Sequence, residues 1–157
     1  MREYQYVVDR DGRVFHDGTE LVDPLTLRFF LRAMTVTADG RYLVVCQGEH
    51  NWFATDDTPF VVQRVRLTPQ HPVASHASGD RPMAVELCFP GDYREPLDPE
   101  TLEAHHGDLF CRVRGGAFRA RFGRVALQQL APYLADDRRR VTLVLGANRY
   151  TIREPAT

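Results

Sequence analysis

Between Gly48 and Gln63 the chain reads GEHNWFATDDTPFVVQ, which crowds Glu49, His50, Asn51, the single tryptophan Trp52 and the acidic pair Asp56 and Asp57 between two apolar runs. These residue types allow two kinds of chemistry. Cys46 lies just upstream, so its thiol with His50 and the carboxylates of Glu49 and Asp57 could form a nucleophile, a base and an orienting acid. The other is a small-ligand site. The indole of Trp52 offers a broad apolar face with one N–H, Asn51 carries orienting donors and acceptors, and Glu49 and Asp57 add charged acceptors. Each has a plainer counterpart. In RYLVVC, Tyr42, Val44 and Cys46 alternate onto one face, which makes Cys46 a core thiol. Trp52 can close the end of a core while Asn51 and Asp56 bond to turn backbone. The preferred reading is a non-enzymatic ligand-binding or regulatory module with Glu49, Asn51, Trp52 and Asp57 as its candidates and no catalytic residue. A small enzyme using Cys46 or the Glu49 and Asp57 carboxylates is the alternative.

A second cluster lies in CRVRGGAFRAR, where Arg112, Arg114, Arg119 and Arg121 alternate with apolar residues. If both strands turn these residues outward, four guanidinium groups form an anion-binding patch for an interaction or assembly partner. All 20 basic residues are arginine, however, so a solvated face of a lysine-free protein gives the same pattern. One Arg-Gly-Gly without stacking aromatics argues against nucleic acid. The histidines suggest no metal site: His71 and His76 lack acidic partners at ligand spacing, and His105 and His106, read on a helix, point apart. No phosphate loop, nucleophile elbow or zincin helix occurs, and no cofactor is implied.

The elements that must carry these residues follow from periodicity. Tyr4 to Val8 and Arg13 to His16 read as strands joined through Asp11-Gly12. In DPLTLRFFLRAM, Asp23 caps, Pro24 takes the first helical position, and Leu27, Phe30, Leu31 and Met34 form a buried stripe. RYLVVCQ and FVVQRVRL are strands, with the Trp52 segment as the loop between them. In the second half LFCRV and AFRARF form a hairpin. RVALQQLAPYL is a helix carrying Leu127, Leu130, Ala131 and Leu134, with Pro132 bending or shortening its last turn. RRRVTLVL and NRYTI form a hairpin about Gly146-Ala147. MAVELCF is a further strand, and LDPETLEAHHG a short helix capped by Asp98 and stopped by Gly107.

The expectation is therefore an α+β domain over 1–157 with a largely antiparallel sheet. Two related strand-strand-helix-strand-strand units, about 3–67 and 83–153, flank a connector at 68–82. A chain of 157 residues can bury a substantial core. A net charge of −1 gives no field that would draw it to nucleic acid or to a lipid surface. Its longest apolar runs span only a few residues, too short for a bilayer. Three cysteines, Cys46, Cys88 and Cys111, sit in strand-like runs at wide spacing, so they read as reduced thiols. That pattern and the immediate start of a strand point to the cytoplasm.

REYQYVVDRDGRVFHD and GEHNWFATDDTPFVV resemble the signature segments of the uncharacterised protein family UPF0598, the domain of unknown function DUF4505. The matching positions are Glu3, Tyr4, Asp9, Gly12, Phe15, Gly48, Glu49, Asn51, Asp57 and Pro59. The resemblance brings no activity, cofactor or catalytic residue. It implies a bacterial, cytoplasmic member, since animal members carry sequence ahead of the Arg-Glu-Tyr motif. The order of hairpin, helix and DGRYLV is also similar to DUF1285, a bacterial family of repeated α+β units with a ligand or signalling role, which is an analogy of pattern.

Overall fold

Glu3, Gln5 and Val7 are exposed while Tyr4, Tyr6 and Val8 turn inward, so the first strand has one wet and one covered face. In the computed structural model, which describes residues 2–68 and 81–155, this strand β1 (Glu3–Val8) leads into β2 (Val14–His16) and β3 (Thr19–Leu21). Asp9 Oδ1 accepts from the backbone N–H groups of Asp11 and Arg13, which holds the first turn. Gly12 closes it at a φ of 84°. A side chain there would also meet Val61, with a Cβ only 2.9 Å from the valine Cβ.

Helix α1 (Pro24–Ala33) follows, capped by the Asp23 carboxylate, which accepts from the Thr26 N–H. Then come β4 (Thr35–Val36), β5 (Tyr42–Cys46) and β6 (Glu49–Thr55). Each set of three strands is an antiparallel meander. The two meanders join where β1 and β6 run in parallel, from Glu3 opposite His50 to Val8 opposite Thr55. The result is one six-stranded sheet in the order β3-β2-β1-β6-β5-β4. Helix α1 covers its inner face. Phe30 packs edge-on to Tyr6 and Phe53, with ring centroids 5.2 and 5.0 Å apart, and Leu31, Met34, Val8, Val14 and Val44 are buried with it. Burying a side chain such as Phe30 is worth about 1.5–3 kcal/mol.

Two compact units emerge, Met1–Val61 with Phe89–Tyr93, and Val62–Cys88 with Arg94–Thr157. β7 (Phe60–Val62) carries the chain from the first into the second. There β8 (Arg64–Thr68), β9 (Ala84–Cys88) and β10 (Arg94–Pro96) form an antiparallel sheet with β9 central. β11 (Glu103–His105), β12 (Asp108–Val113) and β13 (Phe118–Phe122) form a second meander. Helix α2 (Arg124–Leu130) follows, and Gln129 Oε1 ties it to β8 by accepting from the Val65 N–H at 2.8 Å. β14 (Leu134–Asp136), β15 (Val141–Leu145) and β16 (Asn148–Thr151) make the last meander. Beyond β16 the chain returns alongside β11 in parallel. The Ala104 N–H donates to Arg153 O at 2.7 Å and the Arg153 N–H to Leu102 O at 3.2 Å.

The fold class is the expected one, mixed and mostly antiparallel, but four element boundaries differ. The Trp52 segment is strand β6, in the middle of a sheet, and not a loop; the tight turn at Gln47-Gly48 lets β5 and β6 pair from Cys46 opposite Glu49. FVVQRVRL is two strands broken at Gln63. The helix expected in LDPETLEAHHG is a single 3-10 turn, Pro99–Thr101, followed by strand β11, because Leu102 is buried and Glu103 to His105 pair with β12. Pro132 does shorten the second helix: α2 stops at Leu130, a 3-10 turn runs Ala131–Tyr133, and Leu134 begins a strand. The connector at 68–82 lies mostly outside the described residues, as do His71 and His76. No helix among the described residues is long and apolar enough to cross a membrane.

Candidate functional site

Strand alternation decides where the first cluster goes. Asn51 is on the inner face of the first sheet, 6% exposed, and its Nδ2 donates to Val44 O at 3.1 Å. Trp52, the next residue, faces the opposite side, where the Arg41 guanidinium lies 4.0 Å from its ring centroid and His50 meets it edge-on at 5.9 Å. Glu49 starts β6 and Asp57 follows its end, a separation on the order of 20 Å at strand rise. Asp57 sits in a turn held by threonines: its N–H donates to Thr55 Oγ1, and the Phe60 N–H donates to Thr58 Oγ1. Glu49, Asn51, Trp52 and Asp57 therefore belong to three different surfaces. The same geometry separates the thiol group, since His50 faces away from Cys46 and Asp57 is at the far end of the strand.

The structure brings other polar groups together on that inner face. His16 lies 5.1 Å from the Tyr6 ring and 6.0 Å from that of Tyr4, and its Nδ1 donates to Gln5 O at 3.0 Å. Burial, aided by Tyr4 and Glu49, raises the pKa of the Tyr6 hydroxyl above the usual phenol value. These contacts close around the core and leave the Tyr6 ring stacked on Phe53 at 5.1 Å.

The arginine hairpin is divided too. Arg112 and Arg119 are directly paired across β12 and β13, with the Arg119 guanidinium 4.2 Å from the Phe110 ring. Arg121 shares their side of the sheet but is only 7% exposed. Arg114 lies in the turn at a φ of 55°, its N–H bonded to Glu95 Oε1 and its guanidinium 5.3 Å from Phe118. Arg112 is thus the exposed member, and the four do not form one patch.

What the second unit does contain is a cleft of about 380 Å³, in the range of small-molecule sites. It is built at the tip of the β11–β12 hairpin. His106 and Gly107 take positive φ to make the tight turn, which holds His105 opposite Asp108 and sets the two imidazoles edge to face with centroids 4.0 Å apart. Leu109 behind them, Leu127 of α2, Leu134 of β14, Val141 of β15 and Ile152 form an aliphatic floor. Pro132 matters here, because a helix continued past Leu130 would not deliver Leu134 to β14. Glu154 and Pro155 complete the wall.

A wider groove of about 700 Å³ shares Ile152, Glu154 and Pro155 with the cleft and adds Glu103, Arg139, Arg140 and Arg153. The parallel return of the chain beside β11 sets Arg153 next to Glu103. The β14–β15 turn, in which Asp137 Oδ1 accepts from the Arg139 and Arg140 N–H groups, presents the other two arginines. Sequence reasoning reached His105 and His106 but not this floor, whose residues come from four separate elements and from Ile152 just beyond β16. The arginine run before VTLVL was the one local signal. Among the described residues no group of three or more histidine, cysteine or acidic side chains is placed to hold a metal.

No protein-family model matches the chain, and no curated protein does. Two solved structures are similar to it. One is a DUF1285 family protein from Silicibacter pomeroyi DSS-3, with a TM-score of 0.68 and 17% identity over 96% of this chain and 82% of that one. Another is a DUF1285 family protein from Shewanella baltica OS155, with a TM-score of 0.61 and 11% identity over 82% of this chain and 91% of that one. At such identities the likeness establishes the fold. The resemblance to UPF0598 finds no support in these comparisons, whereas the pattern shared with DUF1285 is matched by solved structures. The segments that suggested UPF0598 fold as a hairpin and a sheet strand, elements whose residue preferences recur across unrelated folds.

Proposed function

We propose that the protein is a non-enzymatic binding module whose ligand site is the cleft of the second unit, taking a small molecule with an apolar body. The observation that carries this is the cleft of about 380 Å³, floored by Leu109, Leu127, Leu134, Val141 and Ile152 and edged by His105, His106, Asp108 and Glu154. An aliphatic floor supplies affinity without direction, and a few polar groups at the edge orient what enters. The separation of Cys46, His50 and Asp57 weighs against the enzyme reading. The test is a thermal-shift screen of metabolites. A ligand at a hundredfold its dissociation constant adds roughly 2.7 kcal/mol of stability. Val141→Trp, which plugs the cleft, should remove the shift for every hit. Hits that shift the variant as much as the parent would place the site elsewhere.

We further infer that the two units descend from an internal duplication. The run from β1 to β6 and the run from β11 to Arg153 each consist of three antiparallel strands, a helix and three more strands, and in each the chain after the helix returns to pair in parallel with the first strand of that run.

A further inference from the structure

We propose that the ligand of the second unit is a single-tailed amphiphile with a monoanionic carboxylate head, its tail in the aliphatic cleft and its head among Arg139, Arg140 and Arg153. This rests on the reading of the cleft as the ligand site and adds the chemistry of what it holds. Two observations carry it. The apolar cleft and the arginine-lined groove adjoin, with Ile152, Glu154 and Pro155 lining both, so one molecule can reach from one into the other. The groove also has a charge left over: it is lined by three guanidinium groups and the two carboxylates of Glu103 and Glu154. None of these five groups comes within ion-pair distance of an opposite charge among the described residues. Three positive charges against two negative ones call for one more negative charge. Guanidinium groups match a carboxylate in forked geometry. A dianionic head would overshoot that balance, and a cationic one would add to the excess.

Calorimetric titration of the full chain with decanoate, decanol and decylammonium, each below its micellar concentration, tests the assignment. Decanoate should bind tightest, with decanol about 10- to 100-fold weaker, the worth of charge-assisted hydrogen bonds. From hexanoate to decanoate each added methylene should raise affinity up to about fourfold while the floor is still being covered. The triple variant Arg139→Gln, Arg140→Gln, Arg153→Gln changes only exposed side chains. It should bring decanoate down to the affinity of decanol and leave decanol unchanged. Decanol or decylammonium binding as tightly as decanoate overturns the head-group assignment while leaving the cleft intact as a site. Failure of all three to bind, or binding that survives both Val141→Trp and Leu127→Gln in variants with parental circular dichroism, overturns the cleft reading as well. Capture by anionic lipid vesicles without binding of free decanoate would make the groove a membrane contact and also overturns the proposal.

Discussion

The Cys111 thiol shows how position governs chemistry. It is 1% exposed on β12, and burial, with smaller contributions from Glu95 and Asp98, pushes its pKa up to about 12. A thiol held that far from ionisation is not a nucleophile near neutral pH. Cys88 is also buried, whereas Cys46 ends β5 half-exposed. Iodoacetamide should therefore modify one equivalent of thiol in the native protein, at Cys46, and three only after unfolding. Native modification of Cys111 by mass spectrometry would contradict the packing described. Gly91 gives a second single-residue outcome. It adopts a φ of 73°, and a Cβ would fall 2.5 Å from the Arg28 N, 2.6 Å from Pro24 O and 2.8 Å from Leu27 Cβ. Two of those neighbours are helix backbone and cannot move aside. Gly91→Ala should cost on the order of 3 kcal/mol in urea denaturation, combining left-handed strain with overpacking. A loss below about 0.5 kcal/mol, the range of ordinary surface substitutions, would mean that the 3-10 turn Pro90–Asp92, which contains Gly91, does not sit against α1.

Helix α1 was legible because its signals are local: the Asp23 cap, Pro24 at the start, and a stripe in which Phe30, Leu31 and Met34 are buried. The cap carries a pH signature. Hydrogen bonds from the Thr26 hydroxyl and then its N–H hold the Asp23 pKa below the ordinary carboxylate value. A depressed native pKa stabilises above the unfolded value and loses that contribution as pH falls through the native one. Asp23→Ala should thus lower the melting temperature at pH 7, and the gap to the parent should close in acid below about pH 4. A gap independent of pH would assign the loss to helix propensity and not to the ionised cap. β6 was misread for the converse reason. Glu49, His50 and Asn51 have weak strand preference, and only pairing to β1 on one side and β5 on the other makes them a strand. With the alternation unseen, Asn51 and Trp52 looked like neighbours in a site although their side chains face opposite ways. β11 followed the same course: Asp98 and Pro99 announced a helix, and pairing to β12 overrode them after one turn. The cleft was unreadable because no window of sequence contains both Leu109 and Ile152.

Two units of like order differ in how completely their helices fill them. In the first, ten residues of α1 bring Leu27, Phe30 and Leu31 onto the sheet, and the space left among Val8, Val14, Phe53 and their neighbours is about 10 Å³. In the second, α2 has seven residues and ends ahead of Pro132, and the space beside Leu127 and Leu134 is about 380 Å³. A closed core uses its helix for stability, and a shortened helix leaves room for a guest. The contrast predicts opposite responses to the same kind of enlargement. Val14→Phe adds volume where the free space holds about one water, so strain should cost about 1–3 kcal/mol. Leu134→Phe adds it where the wall faces open space, so the cost should stay within about 0.5 kcal/mol or become a gain of that order. Urea midpoints at matched slope read both. If Leu134→Phe destabilised as much as Val14→Phe, the cleft would be packed in solution, and neither an apolar tail nor any other guest could enter it.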